Sequence, residues 1–406
     1  MANRTGCWVL ALLALAACGE ESSGGAGGGG GTGSAAAAGA GSGGDAGGGA
    51  AGSGGGAGGG GAGTGGAAGT GGAAGGGGAG AGGAGASGGS AGSGGGAGSA
   101  AALPVVGGCT VFQPDSPWNA DISAAPVHPR HAQYLAAFDE DPGERTVHLD
   151  LGSTETYYGI PYSVVPEAQP LVSITYGVGG ENYANESDPG PFPIPLDAPI
   201  EGQDGSVDPS SGDRHVLVIQ QGSCILYELY HAVRTASPAG FRCSSSARWD
   251  LKLNSTRPAG WTSADAAGLP IFPGLLRYEE LAAGAIRHAL RVTAPRAQRA
   301  YIAPASHFGP NDDATLPPYG VRLRLRADFD DSAYSPLARV LLTALKRYGL
   351  IYADQGSGWY VSGTSNPALE PLIEELHQTR PLPSSAFEFV VTGTAVCGHG
   401  APGACN

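Results

Sequence analysis

Val321-Arg322-Leu323-Arg324-Leu325-Arg326-Ala327 alternates aliphatic and cationic side chains residue by residue. A period of two places Val321, Leu323, Leu325 and Ala327 on one face and the arginines on the other, which predicts a half-buried β-strand. Working outward, Leu350 to Ala353 and Trp359 to Ser362 are short apolar runs around Asp354-Gln355-Gly356-Ser357-Gly358, a stretch of turn formers that reads as a hairpin loop. Upstream, Ile286, His288, Leu290 and Val292 share one face of a strand, with Arg287 and Arg291 opposite. His215 to Gln220, Cys224 to Val233, Ala247 to Leu253, Arg299 to Ala303 and Phe387 to Val391 carry similar strand signals. Helix signals are fewer. Ser335-Pro336 caps a run from Leu337 to Tyr348 that ends at Gly349, Pro371 interrupts the start of a second from Ala368 to Gln378, and His131 to Phe138 forms a third. The expected fold is mainly β: an antiparallel β-sandwich or jelly-roll-like domain with a few peripheral helices, α+β being the alternative.

The chain ahead of this domain has a different character. Arg4 gives a positive start, Trp8 to Ala17 form an apolar run shorter than the roughly 20 residues a membrane-spanning helix needs, and Leu15-Ala16-Ala17-Cys18 follows. These residues resemble the signal peptide and lipobox of bacterial lipoproteins. The resemblance implies removal of residues 1–17, acylation of the Cys18 thiol and a membrane partner reached through lipid. Gly19, where many inner-membrane lipoproteins carry Asp, favours the outer membrane of the cell envelope on the same resemblance. Residues 18–102 are nearly pure Gly, Ala and Ser, a composition unable to bury a core, and are expected to form a disordered leash reaching roughly 50 Å. Residues 103–406 are then expected to form one globular domain.

Asp188-Pro-Gly-Pro-Phe-Pro-Ile-Pro-Leu-Asp197, Gly212-Asp-Arg-His-Val216, Leu226-Tyr-Glu-Leu-Tyr230, Gly260-Trp-Thr-Ser-Ala-Asp-Ala-Ala-Gly-Leu-Pro270 and Leu345-Lys-Arg-Tyr-Gly-Leu-Ile-Tyr-Ala-Asp354 stand out within that domain. Together they resemble a family of secreted bacterial proteins to which no activity is attached. The resemblance implies one folded unit over Cys109 to Val391 and carries no catalytic residues.

A net charge of −14 argues against nucleic acid as a partner. Of the cysteines, Cys224 and Cys243 flank an expected turn at Ser237-Pro238 and suggest a cross-strand disulfide, and Cys397 with Cys405 suggests a second. Cys109 is left over, or clasps the domain ends together.

Three kinds of site chemistry fit the pattern. Arg322, Arg324 and Arg326, with Arg287 and Arg291 on a neighbouring strand, form a cationic face for an anionic polysaccharide. Tyr227, Tyr230, His215 and His307 would assist there, in the arrangement a β-elimination lyase uses. Glu228, between Leu226 and Tyr230, suits a glycosidase carboxylate, with Asp250, Asp265 and Asp354 as possible partners. Glu181, Glu186, Asp188, Asp197, Glu201, Asp204, Asp208 and Asp213 crowd a Pro/Gly-rich segment of the kind that holds a structural Ca2+. No motif requires another cofactor; HExxH and P-loop signatures are absent from the sequence, and Gly-x-Ser-x-Gly is absent from residues 103–406. The expected function is a carbohydrate-active enzyme, hydrolase or lyase, the alternative being a non-catalytic module that binds glycan or protein.

Overall fold

A computed structural model describes residues 103–153, 158–202 and 212–398, all within one compact unit, Gly92–Asn406. Cys18, the leash, Asp204, Asp208 and Cys405 lie outside the described residues. The fold is mainly β with few helices, as the alternation predicts. Among the described residues no helix is long and apolar enough to cross a membrane.

Two sheets organise the unit. A four-stranded sheet runs in the order Ser245–Asp250, Ile225–Tyr230, Val216–Gln220, Tyr162–Val165, its last pair parallel and the others antiparallel. The apolar runs here are nearly continuous because both faces are buried. Leu217, Ile219 and Leu226 enter the main core, while Val216, Val218, Tyr227 and Leu229 enter a smaller one with Phe192, Ile194 and Phe241.

The second sheet has six strands, ordered Phe387–Val390, Arg322–Leu325, Leu350–Gln355, Leu290–Ala294, Tyr360–Ser365, His148–Gly152. Its pairings are mixed, parallel at 290–294 with 350–355 and at 360–365 with 148–152. One expectation fails here. Leu350–Gln355 and Tyr360–Ser365 are not a hairpin, because Leu290–Ala294 lies between them. Gly356 to Trp359 is therefore a crossover, passing the C-terminal end of that inserted strand; Gly356 N–H donates to Ala294 O at 3.1 Å and Trp359 N–H to Thr293 O at 3.1 Å.

The helix Pro336–Arg347 begins where Ser335 Oγ accepts the Ala338 N–H at 3.1 Å and buries Ala338, Leu341, Leu342 and Leu345 on one face. It stops at Gly349, whose φ of +65° and close approach to Leu323 O leave no room for a Cβ. The His131–Phe138 helix forms as expected, and Glu370–Glu374 continues into a π-helical turn, Glu375–Thr379.

The cysteine pairing is a correction. Cys224 bonds Cys109, with Cα atoms 5.5 Å apart, and ties the start of the domain to the four-stranded sheet. Val233–Ala236 and Ala239–Cys243 do form a hairpin around Ser237-Pro238, but Cys243 ends it as a free thiol buried in the smaller core. Turn position alone cannot reveal that Cys243 faces this core while Cys224 faces the main one. Cys397 is disulfide-bonded, and Cys405, its expected partner, lies outside the described residues.

Candidate functional site

One row of side chains crosses the six-stranded sheet. Arg322 pairs with Ile351, Ile351 with Arg291, and Ser362 with Asp150; Arg291 Nη1 donates to Ser362 Oγ at 2.6 Å, closing the row. The register between 290–294 and 350–355 then slips by one residue after Val292, so that Asp354 stands opposite Thr293. Without that bulge Asp354 would face the other way; with it, Asp354 joins Arg291 and Thr293 on one face. From the approach to the four-stranded sheet come Asp213 and His215, and from the turn before it Glu201. These groups line a polar cavity of about 270 Å3, with Tyr158 and Tyr360 also contributing. Tyr158 is 63% exposed, and Tyr360 stacks on His148 with ring centres 4.8 Å apart.

The charges in this cavity are unevenly satisfied. Arg291 is buried and grips Asp265, Nη2 to Oδ1 at 2.8 Å and Nε to Oδ2 at 3.3 Å, while Asp354 Oδ2 stands 3.5 Å from the same Nη2. Burial, then the charge of Asp265, hold the Asp354 carboxyl well above the ordinary carboxylate range, against the pull of Arg291. Asp265 is itself sealed off with 1% exposure, so it orients Arg291 from behind the cavity wall.

His215 is a different case. Its Nδ1 lies 2.5 Å from Glu201 Oε2 and its Nε2 3.1 Å from the Ala264 carbonyl. Burial opposes a charge on this ring, yet the Glu201 carboxylate outweighs it and raises the imidazole to about 9. Both ring nitrogens then donate, so His215 is an imidazolium with no lone pair free to act as the base expected of it.

Asp150 lies on the edge strand His148–Gly152. Its carboxyl makes no hydrogen bond or ion pair with the described residues. Burial, followed by the negative charge of Glu201, pushes it to about 7, with Arg291 opposing and Asp213 adding to the rise. A proton on Asp150 is therefore half lost near neutrality, where transfer to or from a bound molecule is most effective.

The other expected residues are placed as follows. Glu228 is wholly buried beneath the sheet, where it accepts N–H donors from Ile271, Phe272 and Trp249 Nε1, and burial raises it to about 7. It is an internal anchor with no opening to a ligand. Asp250 Oδ1 accepts the Lys252 N–H at 2.9 Å in a turn, away from the cavity lining. Tyr227 packs on Phe192 in the smaller core, and Tyr230 stands 5.8 Å, ring to ring, from His215. His307 belongs to a neighbouring cavity.

No open arginine face forms. Arg322 is buried and donates to the Pro117 and Tyr348 carbonyls, Arg324 is buried against Glu388 and the Ile122 carbonyl, and the exposed Arg326 pairs with Asp328. His288 is a core histidine held by Glu280 and Arg277. Among the described residues the expected calcium ligands have other surroundings. Asp188 is neutralised by Arg257 at 2.7 Å, Asp197 is exposed in a turn, and Asp213 lines the cavity. Among the described residues no group of three or more His, Cys, Asp or Glu is set to hold a metal ion.

Sequence reasoning missed Asp150, Glu201 as the partner of His215, and Tyr360. The alternation His148-Leu149-Asp150-Leu151 was the one signal for the first of these. No family model matches the chain, and no match was found among curated proteins or solved structures.

Proposed function

We propose that the domain is a hydrolase of neutral saccharides that uses acid–base chemistry in the Asp150–Asp354 cavity. The observation that carries this reading is Asp150: an unpartnered carboxyl with a pKa of about 7, sharing a polar cavity with a second carboxyl that is held protonated. Two acids in one cleft with shifted protonation suit glycoside cleavage. Asp354 gives its proton to the departing glycosidic oxygen, and Asp150, as carboxylate, takes one from the attacking water. Tyr360 and Tyr158 offer aromatic faces to a sugar ring. Neutral substrates are favoured over polyuronates because Arg291 and His215 already have carboxylate partners in Asp265 and Glu201, while Asp213 adds a further carboxylate to the lining.

Incubation of the purified chain with a panel of neutral and uronate polysaccharides tests the reading. New reducing ends that disappear in Asp150→Asn support it. Unsaturated uronate products would establish a lyase instead, and retention on a polysaccharide gel without any cleavage would establish a binding module.

The same proposal places the enzyme outside the cytoplasm, tethered to the cell envelope by lipid on Cys18. Incorporation of a labelled palmitate analogue that is lost in Cys18→Ala checks the anchor.

A further inference from the structure

Gln355, the residue after Asp354, lines two cavities at once. One is the site described above; the other, of about 410 Å3, is walled by Phe308, Tyr319, His307, Arg299 and Ala266. The Gln355 amide is fixed at the junction. Its Nε2 donates to the Pro295 carbonyl at 3.1 Å and its Oε1 accepts the Tyr319 hydroxyl at 3.3 Å, which leaves one N–H and one lone pair for a ligand.

A second connection runs behind both cavities. Residues 264–266 serve them in turn: the Ala264 carbonyl meets His215 Nε2 at 3.1 Å, Asp265 grips Arg291, and the Ala266 carbonyl meets His307 Nδ1 at 2.9 Å. One backbone segment thus fixes cationic groups in the first cavity and the imidazole in the second. Their relative placement is set by covalent structure and these hydrogen bonds, which pre-organises them for a ligand that spans both.

The second cavity differs chemically from the first. Phe308 lies half-buried against Tyr301, ring centres 5.0 Å apart, and Tyr319 adds another aromatic wall. Arg299 is held by Asp312 and the Pro310 carbonyl, so it is not a free cation for an anionic group. An aromatic wall, an uncharged amide and a partly exposed imidazole suit a sugar ring, whose carbon face stacks while its hydroxyls exchange hydrogen bonds.

We propose that the 410 Å3 cavity is a second sugar-binding subsite, so that the substrate is an oligomer laid across Gln355, not a simple monosaccharide glycoside. The assignment of the neighbouring cavity as the place of cleavage rests on the hydrolase reading; binding at the second subsite does not.

Calorimetric titration of the full chain carrying Asp150→Asn provides the test, using β-1,4-linked oligomers of glucose and of N-acetylglucosamine as dimers and pentamers. In one of the two series the pentamer binds roughly tenfold tighter than the dimer. Phe308→Ala removes that gain and leaves the dimer affinity unchanged. His307→Gln, at a position with 31% side-chain exposure, weakens the pentamer alone and serves if the Phe308 variant misfolds. Equal affinity for both lengths, a gain that survives both substitutions, or no binding in either series overturns the subsite. Incubating the unaltered chain with the same oligomers separates the two ideas. Length-dependent binding without cleavage retires the hydrolase and keeps the subsite, and cleavage indifferent to length does the reverse.

Discussion

Arg291 grips Asp265 through two nitrogens, at 2.8 and 3.3 Å, with the guanidinium 4% exposed and the carboxylate fully enclosed. This pair sets the electrostatics of the whole cavity. Asp354 shares the guanidinium at 3.5 Å but receives the weaker part of it, and burial, reinforced by the enclosed negative charge of Asp265, keeps Asp354 protonated. Removing Arg291 leaves Asp265 as an unpaired buried charge. Arg291→Ala is therefore expected to lower unfolding stability in urea by about 3–5 kcal/mol. Asp265→Asn should also bring the Asp354 carboxyl down, because the repelling charge is gone and Arg291 turns to the remaining carboxylate. Carboxyl chemical shifts followed through a pH titration would register the change; an unmoved Asp354 would refute the coupling.

Asp150 makes a prediction about pH. Its ordinary value of 3.8 is raised to about 7 in the folded chain, so the fold binds a proton that the unfolded chain has already released. Stability from this group is present below pH 4, declines as pH rises through that interval, and is lost above about 7. Asp150→Asn should match the unaltered chain near pH 4 and exceed it at pH 8 by roughly 2–4 kcal/mol before solvent screening reduces the difference. Activity moves the opposite way: kcat/KM of the unaltered chain should show a limb near pH 7, and Asp150→Asn should lose turnover at every pH. A variant that gains alkaline stability while losing turnover has the signature of a strained working group.

His215 responds with the opposite sign. Its pKa rises from 6.5 to about 9 on folding, through Glu201. The pair's contribution is complete below pH 6.5 and is lost as pH rises through 9. Glu201→Gln should cost about 3–5 kcal/mol at pH 6 and flatten the decline in stability between pH 7 and 9, as followed by thermal unfolding across that range. A slope that persists in Glu201→Gln would assign it to another group.

Much of the strand content was legible because single strands report themselves through period two. Arg322–Leu325 and Val216–Gln220 are short departures from what their alternation or apolar run predicts. The pairing of strands was not legible in the same way. Nothing local to Leu350–Gln355 or Tyr360–Ser365 records that Leu290–Ala294 inserts between them, so a crossover read as a hairpin. The site suffers most from this, since Asp150, Arg291 and Asp354 meet only through that insertion and its bulge. His215, Asp213, Asp265, Asp354 and Arg291 were identifiable as ionisable groups in strand-rich surroundings. Which of them faces an opening, and which, like Glu228, faces a core, is decided by register.

The disulfide supplies a test independent of function. Closing a loop across a sequence separation of 115 stabilises the fold by about 4–5 kcal/mol in the chain-entropy account. Peptide mapping without reduction should link Cys109 to Cys224, and Cys109→Ala with Cys224→Ala should unfold at clearly lower urea concentration. Burial lifts the Cys243 thiol to about 12, so it should resist alkylation until the chain unfolds. A Cys224–Cys243 link in the map would contradict the fold.

Glu228 separates structural carboxyls from working ones. Its oxygens accept three N–H groups, from Ile271, Phe272 and Trp249, with no exposure to solvent. Glu228→Gln keeps the shape but places an amide NH2 where one of those donors points, since a carboxamide has a single accepting oxygen. At least one buried N–H is left unmatched, and the expected loss is about 1–3 kcal/mol in urea unfolding. The turn 271–275 that Glu228 anchors does not line the 270 Å3 cavity, so any folded Glu228→Gln population should keep the neutral-pH limb of kcat/KM set by Asp150. Asp150→Asn shows the converse, a stable fold without turnover. If instead Glu228→Gln abolished turnover at full stability, the proton chemistry would have to be reassigned from the cavity to the buried carboxyl beneath the sheet.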